Sequence, residues 1–484
     1  IFKDGNPEFI MTTKHLSDLF EKNIEVVKLK NNKNIVLYNW LTMNTNYTNV
    51  VKKIILQKPV DRDLFFNKRK KRLKYIFESC EIITSKIPTI HVVGTKGKGS
   101  TSTFLANILK EANYATGLFT SPHLHKIPER IKTNLEDISE NSFTNAFDTF
   151  ATKINDKKLA AFGGNSFFET LMILALIHFK NKNVSFQIFE AGIGGTHDST
   201  NFIPNKIATL ITNISLDHQN ILGDTLEEIA TDKAGAISEN SITISAPQEK
   251  TVNKIISGIN TSKQSVLKKF NSDIKTIKRK TSGTSQSFVL ETNSETYNLT
   301  SYLLGPHQVE NAGLAILAAE EIIKKGYKIS KENIENGIKN TSWPGRLQVV
   351  KKNQTKYYVD GAHNSYSIKQ LIKSLEELNS GMKYKTIFGA TSGHSYKKML
   401  DEISNISDTL LLVKSRHPKA ISIKDFKNKT KFTNIKILEF ESVEKAIKYT
   451  KNKNDTYLVT GSLSVAAEAL ESLNNITPEL YPYL

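Results

Sequence analysis

Cysteine and long apolar runs are scarce in this sequence. Cys80 is the single cysteine, so no internal disulfide can form and a reducing compartment is expected. No run of about 18 apolar residues occurs, which argues against a transmembrane helix. The start, IFKDGNPEFI, lacks the charged, apolar and small-residue zones of a secretory signal, and Met11 offers an alternative beginning. These absences predict a cytoplasmic protein, with a mitochondrial form left open.

Size and charge set further limits. The 484 residues are too many for one ordinary core, so two or three domains are expected. The net charge of +18 is spread along the chain, apart from a dense cluster at residues 67–74. An anionic small substrate or a general bias towards lysine and asparagine explains this charge as well as nucleic acid does. We therefore expect small-molecule substrates and neither a nucleic-acid nor a membrane partner. We also expect a monomer.

Strand-like and helix-like segments alternate from residue 89 onward, which predicts an α/β protein with a mainly parallel sheet. A second alternation begins after Pro344 and Gly345. We expect three parts: a basic, largely helical extension (1–88) and two α/β domains (89–342 and 343–484). The patterns predict helices over 165–180, 225–237 and 307–325, and a hairpin excursion within 264–301.

Residues 94–100, GTKGKGS, stand between a β-branched run and a helical pattern. Their spacing departs from the usual phosphate-loop formula, in which the hydroxyl residue directly follows the lysine. Glycines let backbone N–H groups approach phosphate, while Lys98 can reach the β and γ phosphates and Ser100 can ligate Mg²⁺. A glycine-rich turn with a solvated lysine is the plainer alternative. The context favours nucleotide binding.

Further motifs occur in a fixed order along the chain: HVVGTKGKGST (91–101), FTSPHLHKIPERIKTN (119–134), SFFETL (166–171), EAGIGGTHDSTN (190–201), NISLDHQ (213–219), TDKAGA (231–236), LLGPHQVENAGLA (303–315), WPGRLQ (343–348), VDGAHN (359–364) and VTGSL (459–463). This series resembles the folylpolyglutamate synthase and dihydrofolate synthase family of Mur-ligase-like enzymes. The resemblance implies a central P-loop ATPase domain with a mainly parallel sheet, followed by a smaller, Rossmann-like α/β domain.

The resemblance also implies a reaction. ATP would activate the carboxylate of a reduced folate as an acyl phosphate, which L-glutamate would attack to form an amide. Dihydropteroate as acceptor, or both acceptors in one enzyme, stays an alternative. The implied cofactors are ATP and Mg²⁺, with two metal ions, and a monovalent cation such as K⁺ is left open.

The resemblance implies the following site residues: as catalytic, Lys98, Glu169, His218, Lys233 and His363; for ATP, Gly94, Thr95, Lys96, Gly97, Lys98, Gly99, Ser100, Thr101, Gln308, Asn311, Arg346 and Asp360; for metal, Ser100, Ser121, Glu169, His218 and Lys233; for folate, Ser121, Pro122, His123 and Arg130.

Elementary chemistry fits several of these roles. Glu169 would bridge two Mg²⁺ ions, unless it is a surface glutamate of its helix. Lys233 matches a family lysine that carries a carbamate in several members, which requires a buried, neutral amine. The Arg346 guanidinium suits a two-point grip on phosphate, and its alternative is an exposed linker arginine.

Some positions depart from the family pattern. Thr196 stands where arginine is common, residues 393–395 replace an acidic segment, and Lys419 replaces an arginine. Three other functions fit parts of the sequence: a peptidoglycan Mur ligase, a nucleic-acid-dependent P-loop protein, and a pseudoenzyme that has lost glutamate use. The ordered motifs favour the folate-modifying ligase over all three.

Overall fold

The structure is a computed structural model that describes residues 24–28, 34–38, 46–57, 67–82, 86–392, 396–429 and 435–480. Among these residues, no helix is both long enough and apolar enough to cross a membrane.

The strands, numbered in chain order, are β1 (Ile24–Lys28), β2 (Asn34–Tyr38), β3 (Thr89–Val93), β4 (Thr116–Phe119), β5 (Ile131–Thr133), β6 (Glu136–Asp137), β7 (Phe186–Glu190), β8 (Lys206–Ile211), β9 (Ile242–Ser245), β10 (Val266–Lys269), β11 (Ile274–Ser282), β12 (Ser285–Thr292), β13 (Thr296–Ser301), β14 (Gln348–Lys352), β15 (Thr355–Val359), β16 (Tyr384–Phe388), β17 (Ser407–Val413), β18 (Lys436–Phe440) and β19 (Thr456–Thr460).

The α-helices are α1 (Tyr47–Leu56), α2 (Arg69–Ser79), α3 (Lys98–Glu111), α4 (Glu140–Lys153), α5 (Asp156–Ala161), α6 (Phe167–Asn181), α7 (Gln219–Leu222), α8 (Leu226–Ala234), α9 (Lys250–Ser262), α10 (Pro306–Lys324), α11 (Lys331–Lys339), α12 (Ser365–Leu378), α13 (Tyr396–Ser404), α14 (Ile423–Lys429), α15 (Val443–Thr450) and α16 (Leu463–Asn474).

Residues 1–84 and 140–178 form one compact unit. In its described part, β1 and β2 pair as an antiparallel hairpin, and Tyr47 of α1 packs edge-on against Phe143 of α4. The hairpin is a feature that the sequence analysis did not predict for this region. Most of residues 1–45, including Met11, lies outside the described residues.

Residues 85–139 and 179–484 form the other compact unit, which contains two large sheets whose strands alternate with helices along the chain. The first sheet has the strand order β10-β9-β8-β3-β7-β4-β5-β6, and the strands from β10 to β4 run parallel. Every residue of β3 and β7 is buried. Strands that are buried along their whole length suit a parallel sheet covered on both faces.

Strands β11, β12 and β13 form a separate antiparallel sheet. It lies where the sequence predicts a hairpin excursion, although β10 within the same stretch joins the large parallel sheet instead. Helix α10 follows this sheet and begins at Pro306, a residue whose fixed φ and missing N–H suit a first helical position.

The second α/β sheet has the order β14-β15-β19-β16-β17-β18, and all its pairings are parallel except that of β14 with β15. Alternate residues along its strands enter two different core clusters, as the pleat of a strand requires. Tyr358 and Leu458 belong to one cluster, while Tyr357 and Val459 belong to the other.

The predicted α/β class with a mainly parallel sheet and a second α/β domain is confirmed. The predicted helices match α6, α8 and α10 to within a few residues at each end. The division at residues 88 and 342 stays a prediction; it differs from the compact units, because residues 140–178 group with the beginning of the chain.

Candidate nucleotide and metal site

The glycine-rich loop begins where β3 ends and leads directly into α3. Gly94 and Gly97 have φ angles of +139° and +92°, which residues with a side chain rarely adopt. A Cβ atom on Gly97 would also lie 3.0 Å from Asn311 Cγ, and one on Gly99 would lie 2.8 Å from the Trp343 ring. The glycines are therefore required by backbone conformation and by close packing.

A glycine-to-alanine substitution tests this requirement. We expect Gly97→Ala to weaken ATP binding at least about tenfold, since positive-φ strain costs roughly 1–3 kcal/mol and Asn311 must move. Isothermal titration with a non-hydrolysable ATP analogue measures the affinity. Gly258→Ala is the matched control, because a Cβ there meets nothing within 4 Å. Equal affinities for wild type and Gly97→Ala would show that the loop does not hold the phosphates.

Two further contacts fix the loop to the segment that follows β8. The backbone N–H groups of Thr95 and Lys96 both donate to the Asn213 carbonyl, at 2.9 and 3.3 Å. The Thr95 hydroxyl donates to the Ser215 carbonyl and accepts from the Ser215 N–H, each at 3.1 Å. Asp217 and His218 belong to the same segment, so the loop and these predicted site residues are held together.

Positive charge is concentrated around the loop. Lys98 and Lys233 both donate from Nζ to the Gly94 carbonyl, at 3.3 and 2.9 Å. Burial, and next the charge of Lys98, lower the pKa of the Lys233 ammonium to about 7. Burial also lowers the pKa of Lys96, although its ion pair with Asp217 at 2.9 Å acts in the opposite direction. Such crowding of cations suits a bound polyanion.

Helix α10 supplies polar groups at the start of α3. The Thr101 hydroxyl donates to Asn311 Oδ1 at 3.3 Å, and Asn311 Nδ2 donates to Gln308 Oε1 at 3.0 Å. All three side chains are buried. The structure therefore brings together the residues predicted for ATP on this side of the loop.

The second α/β domain faces the loop through residues at the end of β15. His363 Nε2 lies 3.2 Å from Lys96 Nζ. The Asp360 carboxylate accepts the N–H groups of Leu347 and Ala362, each at 2.8 Å, and so fixes the stretch next to Arg346. Burial raises the pKa of Asp360, and the Arg346 charge partly offsets that rise. His363 thus lies beside the loop and Asp360 fixes the backbone next to Arg346, while the roles of these three residues in ATP binding stay predictions.

The candidate metal ligands differ in exposure. The Ser100 side chain is buried at the first turn of α3, whereas His218 is exposed and has a left-handed backbone, with φ +52°. Burial lowers the pKa of His218 despite the neighbouring Asp217 charge. Among the described residues, no three His, Cys, Asp or Glu side chains gather into a ready-made metal site. Mg²⁺ commonly takes only one or two carboxylates plus substrate phosphates, so the sparse set still fits this ion.

Glu190 is a carboxylate at this site that the sequence analysis did not single out. It ends β7, next to β3, in register with Val92, and is only 5% exposed. Its Oε2 accepts the Ser121 N–H at 3.0 Å. Burial raises its pKa, while the charges of Lys98, Arg346 and Arg130 act to lower it. A buried glutamate closing an apolar strand, FQIFE, is the sequence signal that could have identified it.

Glu169 belongs to the other compact unit, where it is fully buried on α6. The Arg72 guanidinium donates to both of its oxygens, at 2.8 and 3.2 Å, and Arg69 Nε lies 3.6 Å away. Glu169 is therefore not a surface glutamate of its helix, and it has two cationic partners. Its role as a metal ligand stays a prediction.

The predicted folate-side residues lie in one segment, 121–130. Ser121 contacts Glu190 through its N–H, Pro122 is exposed, and Arg130 Nε donates to His123 Nδ1 at 2.9 Å. Burial, followed by the charge of Arg130, lowers the pKa of His123 to about 3, so the ring is neutral at pH 7. It can then accept the hydrogen bond from Arg130.

Two of the departures can be placed. The Thr196 hydroxyl donates to the Asp232 carbonyl at 2.8 Å, which ties its loop to α8. The Lys419 carbonyl accepts the Ser392 N–H at 2.8 Å. Residues 393–395 lie outside the described residues.

Comparison with known proteins agrees with this geometry. A family model described as the Mur ligase middle domain matches residues 92–319, and one described as Mur ligase, glutamate ligase domain, matches residues 345–463. The apo form of L. casei FPGS is similar, with a TM-score of 0.77 and 26% identity over 89% of this chain and 100% of that one. The FPGS-AMPPCP-folate complex is also similar, with a TM-score of 0.76, 26% identity, and coverage of 88% of this chain and 99% of that one.

Curated relatives point the same way. Folylpolyglutamate synthase of Lacticaseibacillus casei is 30% identical over 67% of this chain and 76% of its own length. The chain spans about half the length of the folylpolyglutamate synthase of Saccharomyces cerevisiae (strain FostersO), at 33% identity over 59% of this chain and 52% of that protein. The dihydrofolate synthase/folylpolyglutamate synthase of Bacillus subtilis (strain 168) is 31% identical over 81% of this chain and 92% of that protein. This chain therefore belongs to the folylpolyglutamate synthase and dihydrofolate synthase family of ATP-dependent Mur-type ligases.

Proposed function

We propose that this protein uses ATP to join L-glutamate to the carboxylate of a reduced folate. The observation that carries the proposal is the glycine-rich loop at the end of β3, which contains Lys96 and Lys98 and whose Gly94 carbonyl accepts from Lys233. The second α/β domain presents Arg346 and His363 to the same place. A site built in this way can hold a triphosphate while a carboxylate attacks its γ-phosphorus, which breaks the bond to the β-phosphate, releases ADP and leaves an acyl phosphate.

The chain's own groups then act mainly by position and charge. The first N–H groups of α3 have no acceptor within the helix and, with the helix dipole, favour a phosphate at its start. Lys98 would neutralise the β and γ phosphates, and Arg346 would bind them from the second domain. The glutamate amine would next attack the acyl phosphate and displace inorganic phosphate.

Mg²⁺ supplies charge neutralisation of the phosphates when it is bound. We propose the Ser100 hydroxyl, the Glu190 carboxylate and the His218 imidazole as its protein ligands, with Ser121 adjacent to Glu190. One ion or two, and a monovalent cation such as K⁺, agree equally with this set. Lys233 is 3% exposed, and its lowered pKa leaves much of the amine neutral at pH 7, as carbamate formation with CO₂ requires.

The assay that tests the proposed function compares acceptors. Phosphate release is measured with ATP, Mg²⁺ and L-glutamate, in the presence of tetrahydrofolate, of dihydropteroate, or of neither. We expect release with tetrahydrofolate only when every component is present, together with a product heavier by one glutamyl residue in mass spectrometry. Release with dihydropteroate alone would assign the alternative activity. Release that does not depend on any acceptor would contradict the proposal.

A further inference from the structure

Residues 121–130, the segment that contains the predicted folate-side residues, contact the second α/β domain. Leu124 packs against the core cluster on one face of the second sheet, which includes Val350, Tyr357 and Val465. Apolar contact of this kind holds the segment to the domain without fixing its orientation. Two glutamates, Glu471 and Glu479, add directional contacts.

Glu471, on the last turn of α16, provides the first of these contacts. Its Oε1 lies 3.1 Å from His125 Nδ1, and the Glu471 side chain is only 6% exposed. Its other oxygen accepts from the Arg416 guanidinium. Arg416 is itself held, because its backbone N–H donates to Glu468 Oε1 at 2.6 Å. The Glu471 carboxylate is therefore oriented from two sides before it meets His125.

Glu479, in the stretch that follows α16, provides the second contact. Helix α16 ends at Asn474 and is capped by Asn475, with φ +53°, and the Ile476 N–H then donates to the Glu471 carbonyl at 3.0 Å. The Glu479 N–H donates to the His125 carbonyl at 2.9 Å, and its Oε2 accepts the Ile127 N–H at 3.0 Å. One residue thus binds the segment's backbone at two points.

Hydrogen bonds within the 121–130 segment make it rigid, so a shift at one of its ends displaces the other. The Glu129 carboxylate accepts the N–H groups of Leu124, His125 and Lys126, at 2.7, 2.9 and 2.8 Å. At the segment's start, the Ser121 N–H donates to Glu190 beside the phosphate loop. A displacement at residues 125–127 would therefore reach the position where the acceptor carboxylate must meet the γ-phosphate.

We propose that Glu471 and Glu479 are positioning residues that hold the 121–130 segment against the second α/β domain and so set the place of the acceptor. The inference rests on the proposed function for the identity of that acceptor, a reduced folate. The contacts themselves do not depend on it. Loss of these contacts would then weaken acceptor binding more than ATP binding, because Glu471 and Glu479 contact the 121–130 segment and not the phosphate loop.

Steady-state kinetics of Glu471→Gln and Glu479→Ala test the inference. We expect the KM for tetrahydrofolate to rise about tenfold in each, as for a lost hydrogen bond to a charged group, with the KM for ATP within twofold of wild type. Glu441→Gln is the control, because that exposed glutamate pairs with Lys445, four residues further along the chain, and not with the 121–130 segment. Glu471→Asp, which keeps the charge, should recover part of the affinity. Unchanged acceptor KM values, or equal rises in both KM values, would overturn the inference.

Hydrogen exchange separates failure of the inference from failure of the proposed function, since it needs no turnover. In Glu479→Ala we expect the Ile127 amide to exchange at least about tenfold faster than in wild type, with the amides of β3 unchanged. Unchanged protection of residues 125–127 in both variants would overturn the positioning role. If wild type shows no folate-dependent turnover but the Ile127 amide of Glu479→Ala exchanges faster as expected, the acceptor assignment is wrong. The proposed anchoring of the segment is then still supported.

Discussion

Replacing Lys98 by methionine is expected to lower the rate of folate-dependent phosphate release about 10²–10³-fold, the range for losing one preorganised charge-stabilising donor. Lys98 begins α3, and its Nζ lies 3.3 Å from the Gly94 carbonyl within the glycine loop. Methionine keeps most of the length and the apolar stem, so the loss reports on the charge. The reaction develops negative charge on the transferred phosphoryl group, and this cation is placed to offset it.

The control for Lys98→Met is Lys110→Met, which changes an exposed lysine in the last turn of the same helix. Both variants are assayed for phosphate release at saturating ATP and for thermal unfolding. We expect the control to keep wild-type activity and both variants to unfold near the wild-type temperature. Equal, small losses in the two variants would show that Lys98 is a solvated lysine of a glycine-rich turn, the plainer interpretation of the loop.

The sequence was most informative where local pattern and chemistry coincide. The β-branched run of β3, the glycines and the start of α3 are contiguous, so their order alone predicts a strand, a phosphate loop and a helix. Strands β15, β16, β17 and β19 of the second domain could also be predicted, because buried parallel strands are short continuous apolar runs, whereas β14 and β18 were not predicted.

Contacts between distant residues were beyond such local patterns. Glu190 lies beside the phosphate loop because β7 pairs with β3, and the sequence of a strand does not determine which strand it pairs with. Arg72 and Glu169 are 97 residues apart, so the charge partners of Glu169 could not be anticipated from the SFFETL motif. The same holds for the grouping of residues 140–178 with the beginning of the chain, which depends on tertiary packing.

Glutamine substitutions of Glu190 and Glu169 are expected to have different effects, the first on the Mg²⁺ requirement and the second on stability. In Glu190→Gln the Ser121 N–H keeps an acceptor, while the negative charge beside the loop is lost. We expect the Mg²⁺ concentration for half-maximal activity to rise at least about tenfold and the maximal rate to fall about 10²-fold, as for loss of a group that holds or orients a metal. Unfolding should change little.

Glu169→Gln should act through stability instead. It leaves the buried Arg72 guanidinium without its carboxylate partner, and breaking a buried ion pair in this way costs about 3–5 kcal/mol. Chemical denaturation should show that loss in the free energy of unfolding. The Mg²⁺ concentration for half-maximal activity, measured on the protein that remains folded, should not change. Arg72→Met tests the same pair from the other side and should destabilise to a similar degree. The opposite result would place the metal at Glu169. In that case the Mg²⁺ concentration for half-maximal activity would rise in Glu169→Gln and stay at the wild-type value in Glu190→Gln.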